Sequence, residues 1–110
     1  MTAVDNPGRL NRRLVLEAPV ETPDGAGGVT RAYQPETSIW AEVTPLAPFN
    51  DVEAASAGAT IKYRILVRAG RDITTGHRLR FGARVLRIVS VRDPDGRGRF
   101  IEIRAEERIA

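Results

Sequence analysis

The chain has no cysteine, a single histidine, a single lysine and only six aromatic residues among 110. Each scarcity excludes something. Without cysteine there are no disulfides, no thiolate metal sites and no cysteine nucleophile, and a reducing cytosolic compartment is the expectation. One histidine, His77, cannot build a histidine-rich metal site, and its position reads as a solvated strand end. No run of about 18 apolar residues is present, so no membrane partner is expected. The opening stretch "MTAVDNPGRLNRR" lacks the apolar segment of a signal peptide. Few aromatics also argue against a single-strand nucleic-acid binder, which needs rings for bases to stack on. Tyr63 and Phe81 read as core positions, and Trp40, beside Ile39, is expected to be packed.

What is present is charge, unevenly spread. Residues 1–60 hold four arginines against eight acids, a balance of −4, and residues 61–110 hold twelve arginines and Lys62 against six acids, a balance of +7. Codon bias in a GC-rich genome would explain the arginine excess; so would a need for bidentate pairing with carboxylate or phosphate. A chain acidic in one part and basic in the other can also pair with copies of itself.

Short runs of alternating polarity separated by turn signals point to an all-β fold: a small antiparallel barrel or sandwich of six to seven short strands in one domain over residues 1–110. The expected strands are Arg13–Ala18, Gly28–Gln34, Ser38–Pro45 (ended by its proline), Ile61–Arg68, His77–Phe81, Arg84–Val91 and Arg99–Ala105. The period of two is clearest in "IKYRILVR", where Ile61, Tyr63, Ile65 and Val67 share a face and Leu66 is the exception. Residues 1–8 read as a flexible arm, and about 46–60 as one long loop or short helix.

The glycines of "ETPDGAGG" could suggest phosphate binding. A P-loop, however, needs GxxxxGK[ST] leading into a helix, and here no lysine follows and the next segment reads as a strand. Asp24 would repel a phosphate. Asp24, Gly27 and Gly28 instead read as a hairpin turn. "DPDGRG" is a second turn. Carboxylates are scattered without the pairing acid–base chemistry requires, so no catalytic, cofactor or metal residues are assigned and an enzyme is not expected.

The order of features resembles the head–tail joining (head-closure or stopper) proteins of tailed bacteriophages over about residues 8–107. Gly8, Leu10 and Arg13 match the family's entry into its first strand. Asp24, Gly27 and Gly28 match its D-x-x-G-G hairpin, and Trp40 and Ala41, with Pro45 and Leu46, its WA-x-V-x-P-L segment. Arg68 and Ile88 match single positions in later strands, while residues 47–59 depart from the family pattern. The resemblance implies a neck component of a phage, prophage or gene-transfer particle: a six- or twelve-fold homo-oligomeric ring between the portal or adaptor and the tail-terminator or tail-tube protein. Double-stranded DNA would pass through it without sequence readout. On that reading Phe49, Asn50, Asp51, Val52 and Glu53 face the channel or adaptor. Glu42, Arg64, Arg68 and Arg87 are candidate inter-subunit charges, and Arg97 and Arg99 form a partner-facing turn. A tail-terminator or tail-completion protein and a free-standing nucleic-acid-binding barrel are the alternatives.

Overall fold

The computed structural model describes residues 9–46 and 60–108. Six strands follow in order: β1 (Arg12–Pro23), β2 (Val29–Leu46), β3 (Thr60–Arg68), β4 (Arg78–Phe81), β5 (Arg84–Arg92) and β6 (Phe100–Arg108). All neighbours are antiparallel, and the order β1-β2-β3-β6-β5-β4 closes on itself because β1 also pairs with β4. The all-β expectation holds, with six strands.

Alternation explains the core. Leu14, Leu16, Ile39, Ala41, Tyr63, Ile65, Val67, Leu79, Leu86, Ile88, Ile103 and Ala105 all point inward and form one buried cluster, closed by Ile73. Filling a small barrel this way removes apolar area from water on every strand at once. Leu66, the exception in β3, is buried on the outer face instead, against Leu10 and Phe100. The segment ahead of β1 thus lays a second, smaller apolar contact on the outside of the wall.

Two sequence expectations are corrected. The strands expected at Gly28–Gln34 and Ser38–Pro45 are one continuous strand, β2. The intervening Pro35 and Glu36 are absorbed by a bulge: Leu16 pairs with Thr37 and Glu17 with Pro35, leaving Glu36 as the extra residue. Pro45 does not end pairing either; it lies opposite Tyr63, with Leu46 opposite Lys62. The expected loop or helix between β2 and β3, and the arm over residues 1–8, lie outside the described residues.

The unequal strand lengths create the main departure from a plain barrel. β4 covers β1 only at Val15–Glu17, and β3 covers β2 only from Ala41 onward. From Ala18 opposite Gln34 to Pro23 opposite Val29, the two strands pair with each other alone. This hairpin arm extends roughly 20 Å past the wall at about 3.4 Å per residue. Asp24 closes its tip: Oδ1 accepts the backbone N–H groups of Ala26 (2.8 Å) and Gly28 (3.1 Å), and its own N–H donates to the Gly28 carbonyl. Gly25 and Gly27 take φ of 81° and 87°, where a side chain would be strained.

Candidate docking surface

The outer wall is built from arginines wrapped around buried glutamates. Glu102 is 2% exposed and receives Arg64 Nε (3.1 Å), Arg92 Nε (3.2 Å) and Arg104 Nε (3.1 Å). Glu17 is held by Arg78 Nε (2.5 Å) and Arg80 Nε (3.2 Å). Burial pushes both carboxyls up, but the hydrogen bonds and positive charge of their arginines outweigh it, and both pKa values lie below the ordinary glutamate range. Burial, followed by its hydrogen bond to Glu107 (3.0 Å), raises the Tyr63 phenol.

These pairs decide where the sequence-derived charges lie. Glu42 is bridged by Arg9 at 2.6 Å, Arg64 belongs to the Glu102 cage, and Arg87 pairs with Glu106. All three therefore have partners within the chain, although Glu42 Oε1 is buried with no hydrogen bond. Arg68, by contrast, is exposed and has no ion pair among the described residues. Arg99 pairs with Asp95 at 3.0 Å, while Arg97 is exposed on the same turn. That turn is wound around Asp93, whose carboxylate accepts from the N–H groups of Asp95, Gly96 and Gly98. Phe49, Asn50, Asp51, Val52 and Glu53 lie outside the described residues. His77 is not a solvated strand end: its side chain is mostly buried, Nδ1 accepts the Thr74 N–H at 3.2 Å, and Nε2 faces Glu36 at 3.5 Å.

Trp40 overturns its expectation as well. Ile39 takes the inward position, so the next residue must point out, and Trp40 is 55% exposed. The Arg13 guanidinium lies 5.4 Å from its ring centroid, a cation–π contact. Beside the indole opens a groove of about 520 Å³, floored by Leu10, Ile39 and Val67 and flanked by Arg68 and Arg71. It exists because β3 ends at Arg68 while β2 runs on, so Ser38–Trp40 have no strand on that side. Arg13, Arg68 and Arg71 have no acidic partner among the described residues. The result is an apolar, aromatic and cationic concavity of the kind that seats a protein segment, with no converging acid–base groups. Sequence reasoning missed it because it depends on where two strands part.

The profile of the phage head completion protein family matches residues 5–108. The chain belongs to that family. This head completion protein is also similar to a chain in the structure of the virion of a native gene transfer agent particle, with 34% identity and a TM-score of 0.74 over 91% of this chain and 96% of that one. The solution structure of protein SF1141 from Shigella flexneri 2a is similar at 26% identity and a TM-score of 0.69, over 93% and 96% of the two chains. Among curated proteins no match was found.

Proposed function

We propose that this head completion protein is a neck component of a tailed phage or phage-like gene-transfer particle, forming a ring that joins the portal or its adaptor to the tail and continues the DNA channel. One observation carries the reading: the family match spans nearly the whole chain, and a chain 34% identical to it sits in a gene transfer agent virion. The surface is consistent with a structural part. The wall is closed, so outside the arm and the Ser38–Trp40 stretch its strand edges are mostly satisfied by one another and offer little room for added strands. Most outer arginines are used within the chain, which weakens any general attraction for DNA phosphates and suits passage without readout. Of the four candidate inter-subunit charges, Arg68 is the one left exposed and without an ion pair among the described residues, so it carries the electrostatic version of ring contact. Channel closure is assigned, from sequence alone, to the segment between Leu46 and Thr60.

Deleting the gene and reconstructing the neck of purified particles tests this. The expected result is DNA-filled heads without attached tails, restored by complementation, and density for this barrel in the neck of complemented particles. Normal tailed particles after deletion would overturn the reading. Density at the end of the tail tube would favour a tail-terminator instead. Tight, salt-sensitive DNA binding by the purified monomer would favour a nucleic-acid-binding barrel.

A further inference from the structure

We propose that the β1–β2 hairpin arm of one copy docks in the Trp40 groove of the next, so that each subunit offers one arm and one groove to its neighbours. The inference rests on the ring reading above and names the two surfaces that would build the ring.

The arm is the first argument. Two strands without a third are marginal in water, and here residues 18–35 have no strand beyond their own pair. Most of their side chains are exposed, and Val29 at the tip end is 61% exposed. Such an element gains from a surface that covers it. Its own body offers a prop at the root, where the Arg78 guanidinium lies 4.2 Å from the Tyr33 ring centroid.

The groove is the second. It pairs an apolar floor with an exposed indole and two lining cations, Arg68 and Arg71, that have no acidic partner among the described residues, with Arg13 against the indole. The arm has a complementary set: Val29 is apolar and Asp24 is acidic, while Glu21 is paired with Arg31 across the arm at 2.7 Å. Asp24 spends Oδ1 on the turn, while its Oδ2 lies beside Gly28 and has no hydrogen bond among the described residues. The N–H groups of Ala26 and Gly28 hold that carboxyl below the ordinary aspartate range.

Geometry supplies the third. Val29 and Ser38 are nine residues apart on one continuous strand, roughly 30 Å at strand rise. An extended hairpin cannot fold back over that distance, so an arm reaches a groove only on another copy. Arm and groove are different patches, which makes the contact heterologous and able to close a ring.

The absence of native cysteine makes disulfide trapping clean. Ala26→Cys marks the tip and Asn11→Cys the groove rim; both residues are exposed. Full-length protein carrying both, oxidised in purified particles and at high concentration in solution, should give a ladder of cross-linked copies. Mixed single variants should give only a tip-to-groove dimer. Adding Arg68→Glu and Arg71→Glu should lower the cross-linking yield by about tenfold. Tip-to-tip dimers from A26C alone, cross-links from the tip to a different particle protein, or no cross-link at all would each overturn the docking. An immunoblot of the particles scores the neck assignment separately. Protein present in particles without copy-to-copy links sinks the docking alone. Protein absent from particles sinks the neck assignment, and the cross-link in solution then decides the docking.

Discussion

Leu86 and Val20 are both strand residues, but they inhabit different regions. Leu86 lies in the wall, with β4 on one side and β6 on the other, and its side chain is fully buried. Val20 lies in the arm, opposite Ala32, with no further strand beside it. The wall is stabilised by burial shared among six strands. The arm is held by one ladder, an Asp-closed turn, the Arg31–Glu21 ion pair across it and a cation–π prop. The same chain thus contains a wall whose strands share one core and an extension of two strands with little burial of its own.

The largest test of this contrast is core truncation. Leu86→Ala should cost about 2–5 kcal/mol of unfolding free energy, from lost burial and the cavity left behind, whereas Val20→Ala should cost under about 0.5 kcal/mol. Urea denaturation of the two variants measures both, and similar losses would erase the distinction. Next comes the glutamate cage. Glu102→Gln removes the charge that three arginines share, and a loss of about 2 kcal/mol is expected in the same assay.

The cages also set a pH response. Glu17 and Glu102 have folded pKa values below those of the unfolded chain. Their contribution is therefore fully present above the unfolded value, about 4.3, and is lost as pH falls through the lower folded value. Stability should be flat with respect to these groups above about pH 5 and decline on further acidification. A Glu17→Gln, Glu102→Gln double variant should show a shallower acid limb in thermal melts, and an unchanged limb would remove the cages from the account.

The smallest effect on stability should come from shortening the arm. Joining Pro19 to Tyr33 through Asn-Gly, a favoured two-residue hairpin turn, should leave the body folded within about 1 kcal/mol of the parent by urea denaturation. If the neck reading is right, the same variant should fail to complete particles. Deleting residues 50–58 should likewise spare the barrel while yielding particles that leak DNA or lack tails; infectious or transfer-competent particles would free that segment from the mechanism.

How much of this was legible beforehand follows from the range of each interaction. The inward face of β3 could be read from Ile61, Tyr63, Ile65 and Val67, because alternation is local. The Asp24 turn was legible for the same reason. Gly28–Gln34 and Ser38–Pro45 read as two strands because the bulge that joins them through Pro35 and Glu36 depends on pairing with β1, which no local pattern reveals. Trp40 misled because an indole is usually buried, and only the placement of Ile39 inside the barrel forces it out. The pairing of Arg64 with Glu102, 38 residues away, is set by which strands become neighbours, so a charge that looked free for a partner subunit proved to be held at home.

One consequence of the strand layout is mechanical. β1 and β2 run unbroken from the arm into the wall, so tension on the tip is carried lengthwise along both strands. It loads their hydrogen bonds to β4 and β3 side by side rather than peeling them one after another. A pull on the arm is thereby resisted by the wall as a whole.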